Sequence, residues 1–101
     1  MTESETGTEP ELEFVRDDAA GRYEAWLGGR RVGLATYYQR GEVVVVPHTE
    51  TDPAYGGRGY AGRLVRYALD DIRAQGRRVE PACPFVAHYI QRNPEYADLL
   101  G

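Results

Sequence analysis

GGRGYAG, residues 56–62, places four glycines and one alanine in seven positions. Glycine carries no Cβ, so the backbone there can turn tightly or another molecule can come close to it. Downstream, Ala61, Leu64, Val65, Ala68, Leu69 and Ile72 recur at the i, i+3, i+4, i+7 spacing of a helix with one buried face, and Gly76 supplies a stop. Upstream the pattern is that of strands. The heptapeptide thus joins a strand end to a helix start, where unpaired N–H groups and the positive end of the helix dipole attract anions. The residues alone leave two readings of these glycines: a tight turn that binds nothing, or a cradle for a phosphate.

Outward from that loop, LEFVRD (12–17) and YEAWL (23–27) read as strands joined by a turn at Asp18 to Gly21. Gly28-Gly29 is a two-residue hairpin signal leading into RRVGLATYYQ (30–39), and Arg40-Gly41 turns that strand into EVVVVPHTE (42–50). Four consecutive antiparallel strands are predicted. The unbroken apolar run Val43 to Val46 marks the fourth as a central strand covered on both faces. Pro47 cannot donate a ladder hydrogen bond, so it predicts a bulge or a parting of the sheet. Beyond it His48 and Glu50 share one face and Thr49 and Thr51 the other. After the helix, RRVEPA (77–82) predicts a short strand, Cys83-Pro84 opens a second helix with proline at its first position, and Asn93-Pro94 ends it. Arg66 and Asp70 are spaced for an i, i+4 ion pair. Tyr23, Tyr37, Tyr38 and Tyr67 suit a mixed core, and Tyr89 and Tyr96 a core or lid.

The chain has 101 residues, room for one domain with one modest core: an acidic tail, residues 1–10, expected to be disordered, and a folded unit over 11–101. Its hydrophobic content is 42%, with eight tyrosines among the aromatic residues, enough to fill such a core. No apolar run approaches the roughly 20 residues of a membrane span. The opening MTESETGTEPE has neither a basic nor an apolar targeting region, and the expected location is the cytoplasm. One cysteine and two histidines, His48 and His88, argue against an internal disulfide and a zinc-type cluster, so no metal is expected. A net charge of −4 argues against general nucleic-acid binding. All twelve cationic residues are arginine, which excludes a Walker-type phosphate loop, since that loop needs a lysine after its glycines. A dinucleotide loop would follow the first strand of a parallel βαβ unit, and this loop follows four antiparallel strands.

The strand order and the stretch Gly56-Gly57-Arg58-Gly59-Tyr60-Ala61 resemble the GNAT superfamily of acetyl-CoA-dependent N-acetyltransferases. That family carries Gln/Arg-x-x-Gly-x-Gly/Ala at the turn into its main helix. Gly59 and Ala61 match. Glycine at position 56 replaces the leading Gln/Arg, and Arg58 is the candidate to compensate as a phosphate cation. HTET (48–51) and CPFVAHYIQRNPEY (83–96) are similar to a small single-domain branch of about 100 residues. The resemblance covers residues 11 to 101. It implies an α+β fold, an α/β sandwich on a mixed sheet, with acetyl-CoA as cosubstrate. The implied coenzyme A contacts are Val46, Gly56, Gly57, Arg58, Gly59, Tyr60, Ala61 and Gly62. Most members insert helices between the first two strands to shape the acceptor site; here that connection is a turn, so the acceptor site is expected to be open and its amine is unspecified.

The implied reaction is direct acyl transfer, which needs oxyanion donors, a base for the ammonium proton and an anchor for the pyrophosphate. Backbone N–H groups near Pro47 are candidates for the first, Glu50 or His48 for the second, and residues 57 to 62 for the third. Cys83, at a helix start that favours thiolate, is either a general acid, a transient acyl carrier or an inert buried thiol. His48 and Glu50 also suit a hydrogen-bonded pair on a solvated face. Some members use a late tyrosine to protonate the departing thiolate, a role open to Tyr89 or Tyr96. A non-enzymatic acyl-CoA-binding or protein-interaction module, keeping the phosphate loop without a working acceptor site, is the rival expectation.

Overall fold

Each of the first three connections reverses the chain within a few residues, so strands adjacent in sequence become adjacent in space. The computed structural model describes residues 11–100, and the tail expectation for residues 1–10 lies outside them. Its strands are β1 (Leu12–Asp17), β2 (Arg22–Leu27), β3 (Arg30–Arg40), β4 (Val43–Thr51) and β5 (Arg78–Glu80), in the spatial order β1-β2-β3-β4-β5. The first four pair antiparallel, and β5 joins β4 in parallel after a crossover through helix α1 (Tyr60–Ala74). Helix α2 (Pro84–Arg92) follows, then a 3₁₀ stretch, Pro94–Leu100, that the sequence pattern does not predict. This is the mixed α+β sheet expected, with a turn in place of helices between β1 and β2.

Register divides the sheet into two unlike faces. One face carries Tyr23, Ala25, Ala35, Val44 and Val46, all buried, against Leu64, Val65, Leu69 and Ile72 of α1 and Val86 and Ile90 of α2. Burying side chains of this size is worth about 1.5–3 kcal/mol each. Both helices set their apolar stripes into that cluster. The reverse face, left without a helix among the described residues, carries two cross-strand rows: Arg22, Thr36 and His48, and Glu24, Leu34 and Glu50. Glu24 is nonetheless buried there, held by Arg22 Nε at 2.5 Å and Trp26 Nε1 at 2.9 Å.

Two sequence expectations fail in the packing. Tyr38 is half exposed rather than part of the core, because alternation puts it on the face opposite Tyr37, which packs against the core. Arg66 and Asp70 form no ion pair among the described residues. The Tyr96 hydroxyl, arriving from the 3₁₀ stretch, donates to Asp70 Oδ1 at 2.7 Å and takes its place.

Candidate active site

The bulge that Pro47 predicts is present. Thr36 pairs with His48 and Tyr38 with Val45, so Val46 and Pro47 together oppose a single residue of β3. The same point ends the pairing with β5, whose last partner on β4 is Val45. One further link follows, from the Cys83 N–H to the Val46 carbonyl at 2.9 Å, before α2 turns away. Beyond Val46, therefore, β4 is paired only with β3, and its other edge opens toward the start of α2.

Cys83 is the N-cap of α2, with Pro84 in the first turn, as the sequence predicts. Its sulfur lies 3.6 Å from the Thr49 hydroxyl across the parted strands. Burial pushes the Cys83 thiol up, but the Thr49 hydroxyl and the amides of Val86, Phe85 and Thr49 outweigh it, and the net shift is downward. No cap hydrogen bond of normal geometry joins the sulfur to its own helix, so those amides act on it chiefly as dipoles.

His48 Nε2 and Glu50 Oε2 are 2.7 Å apart on the reverse face, with more than half of each side chain exposed. Alternation along β4 puts them opposite Thr49, so the strand itself separates them from Cys83. The three candidate catalytic residues do not form one cluster. They flank the open edge of β4 from its two sides.

Asp52 carries the chain from β4 into the glycine stretch and fixes it. Its N–H donates to the Val32 carbonyl at 2.8 Å, its Oδ1 accepts from the Ala54 N–H at 2.9 Å, and its Oδ2 accepts from Arg30 at 2.8 Å. The Arg30 guanidinium and the Ala54 amide hold its carboxyl below the usual carboxylate range. The 3₁₀ turn Pro53–Tyr55 follows, and the Tyr55 ring stacks near Tyr60 and lies under the guanidinium of Arg58 at 5.2 Å.

Gly56 to Gly59 are exposed. Gly57 and Gly59 have φ of +81° and +78°, the left-handed region in which glycine is favoured, and a Cβ at either would meet only open space. Tyr60, Ala61 and Gly62 are already the first turn of α1 rather than loop, with Gly59 as N-cap. The first backbone bond of that turn is from Arg63 N–H to the Gly59 carbonyl at 3.1 Å. Among the described residues the N–H groups of Gly57, Arg58, Gly59, Tyr60, Ala61 and Gly62 have no protein acceptor, and the first turn holds no acidic side chain. Six consecutive donors at a helix start, two of their residues left-handed, are an arrangement that favours an anion nearby.

The remaining sequence candidates are placed less simply. The Val46 side chain is buried in the core, and its carbonyl accepts from the Cys83 N–H. Tyr96 is locked on Asp70, its hydroxyl pushed up to about 12 by burial and that bond. The Tyr89 hydroxyl is raised by burial and has no such partner among the described residues. Sequence reading misses Thr49 as the partner of Cys83 and Asp52 as the clamp on the loop. Alternation supplies half of the first signal, since it sets Thr49 on the face opposite His48, but the approach of residue 83 depends on the crossover.

A meander that parts at a bulge, beside a helix start with its donors unused, defines the class of small α+β folds built around an opened strand edge. A family model described as GCN5-related N-acetyl-transferase matches residues 22–99, and the chain belongs to that family. The NATD1 proteins of chicken and human are each 33% identical to it over 64 residues, 63% of this chain. The match spans 58% of the chicken protein and 57% of the human one. A GCN5-like protein from Staphylococcus aureus, solved in solution, shares the fold with a TM-score of 0.66 over 94% of this chain and 91% of its own, at 15% identity. The ribosomal-protein-S18-alanine N-acetyltransferase of Escherichia coli is similar over 57% of this chain and 38% of its own, with a TM-score of 0.55 and 15% identity. Among the described residues no helix is long and apolar enough to cross a membrane.

Proposed function

We propose that this chain transfers the acetyl group of acetyl-CoA to an amine. The observation that carries the reading is the row of six unpaired N–H groups from Gly57 to Gly62, which in a chain of this family offers the pyrophosphate of the cosubstrate an anchor. In this reading the pyrophosphate sits on those amides, with Arg58 beside it. The pantetheine arm runs along the open edge of β4, which brings the thioester between Pro47 and Cys83.

The amine nitrogen attacks the thioester carbonyl, the C–S bond breaks, and coenzyme A leaves as thiolate. Glu50, with His48 against it, removes the ammonium proton of the incoming amine from the helix-free face of the sheet. Cys83 faces the sulfur side, where its lowered thiol serves better as a proton relay than as a bystander. The test is release of free thiol from acetyl-CoA against a panel of small amines and peptides, for the wild type and Glu50→Gln. Thiol release that requires an amine and falls in the variant is the expected result; no release with any acceptor contradicts the transferase reading.

One observation favours a second reading. The turn between β1 and β2 leaves the acceptor side without walls, which suits a module that binds acyl-CoA without consuming it. Saturable coenzyme A binding with no thiol release would select that reading.

A further inference from the structure

The helix-free face of the sheet holds one buried carboxylate, Glu24, 4% exposed. Burial pushes that carboxyl up, but the bonds from Arg22 and Trp26 and the charges of Arg22 and Arg31 outweigh it and keep it below the usual carboxylate range. Its two oxygens are taken: Oε1 accepts from Trp26 and Oε2 from Arg22. Arg31 Nη1 reaches the same Oε2 at 3.5 Å, the outer limit of a hydrogen bond, with 38% of its side chain exposed. Two arginines therefore share one carboxylate, and one positive charge is left over.

Strict alternation would turn Arg31 toward the helices, because Leu34, three residues on, faces away from them. A bulge reverses it. Ala25 pairs with Gly33 and Trp26 with Arg31, so Val32 is an extra residue in β3; it enters the core, and Arg31 is re-aimed onto the helix-free face. There Arg31, Leu34, Glu50 and Asp52, with Val32 and Gly33, line a depression of 160 Å³. That is below the roughly 300–1,000 Å³ of a drug-sized ligand's site, so its occupant is small. Asp52 is committed, one oxygen to Arg30 and the other to the Ala54 N–H. Glu50 is 62% exposed, with His48 against one oxygen. The groups with capacity to spare are thus one guanidinium and one carboxylate lining one small depression. Opposite charges so placed match a zwitterion, its ammonium toward the carboxylate and its own carboxylate on the planar fork of the arginine.

We propose that the acceptor is a free amino acid, its ammonium directed at Glu50 and its carboxylate at Arg31. The inference rests on the transferase reading above and names its substrate class. The N–C bond forms as the thioester C–S bond breaks, one ammonium proton passes to Glu50 and a second to the departing thiolate, giving an N-acetyl amino acid and coenzyme A. Arg31 becomes a specificity-determining residue, one that separates an amino acid from the same amine without a carboxylate.

Thiol release from acetyl-CoA by the whole chain, with free amino acids and with the amide of each, tests it in wild type, Arg31→Ala and Arg31→Lys. The wild type should use at least one amino acid with kcat/KM about tenfold above that of its amide, as one charge-assisted contact gives. Arg31→Ala should bring that amino acid down to the level of its amide, with the loss carried by KM, and Arg31→Lys should restore part of it. Glu24 keeps its bonds from Arg22 and Trp26 in both variants, so both are expected to fold. Release confined to amides, alkylamines or peptides, or a preference for the amino acid that survives in Arg31→Ala, overturns the inference and leaves the transferase reading standing. No release with any acceptor overturns both.

Discussion

Two glycine-rich segments of this chain look alike in sequence and differ in what they leave undone. Gly28 and Gly29 have φ of +58° and +85°, and the strands they join pair immediately on either side, Leu27 with Arg30. Their left-handed backbone serves the hairpin itself. Gly57 and Gly59 are equally left-handed, yet the segment around them leaves six N–H groups without a protein acceptor. The hairpin leaves only its two central residues between the paired Leu27 and Arg30, whereas the second segment runs into a helix start with six consecutive donors unpaired. Glycine content signals both; the length of the unpaired run and its place at a helix start separate them.

The sharpest way to break the comparison is to put a side chain into each segment. Gly59→Val forces a β-branched residue to φ near +78°, at a cost of about 1–3 kcal/mol, and displaces those amides. Coenzyme A binding measured by calorimetry should be lost while the protein still folds. Gly29→Asn, at a comparable φ that asparagine tolerates, should change stability by about 0.5 kcal/mol or less and leave that binding intact. Equal effects on binding from the two variants would erase the distinction.

A second large effect is expected on turnover. Glu50→Gln should lower the amine-dependent rate by about 100-fold, within the range for a lost general base, with coenzyme A affinity unchanged. An unchanged rate would leave His48 and Glu50 as a solvated strand pair.

Gly62 offers a subtler separation. It lies inside α1, and a Cβ there would make only an ordinary contact, 3.8 Å from Tyr89. Gly62→Ala should therefore stabilise the fold by up to about 1 kcal/mol, through helix propensity, and still weaken coenzyme A binding by crowding the phosphate site. Denaturant unfolding and calorimetry on the same sample check both signs. If the variant binds as well as the wild type, nothing approaches the helix at that residue.

The smallest effect concerns acidity. Because the Cys83 thiol is held below its ordinary range, its thiolate fraction at a given pH exceeds that of a free cysteine, and alkylation should set in at lower pH. Bound coenzyme A should slow the labelling, followed by intact mass. The same onset as free cysteine, without protection, would place the sulfur outside the reaction path.

The meander, both helices, the Pro47 bulge and the cap at Cys83 were legible because each is written locally, in alternation, in a helical stripe, or in a proline or glycine at a constrained position. What was not legible depends on residues far apart in the chain. Asp70 faces Arg66 on its own helix, yet the Tyr96 hydroxyl from the C-terminal 3₁₀ stretch reaches it. Tyr38 looks like core by composition, but its place along β3 exposes it. Thr49 and Cys83 meet only because the crossover returns β5 beside β4. The resemblance implies the glycine loop as a cofactor contact, and the structure places Tyr60, Ala61 and Gly62 in the helix and the Val46 side chain in the core.

The contrast between the two glycine segments can be read directly from their amides. In an ¹⁵N-labelled sample titrated with coenzyme A, the N–H resonances of Gly57, Arg58, Gly59, Tyr60, Ala61 and Gly62 should shift progressively and saturate together, as donors that gain an acceptor, while Gly28 and Gly29 stay in place. Saturable binding that leaves residues 57–62 unmoved, or that moves the hairpin glycines as much, would contradict the assignment of that helix start as the anchor of the cosubstrate.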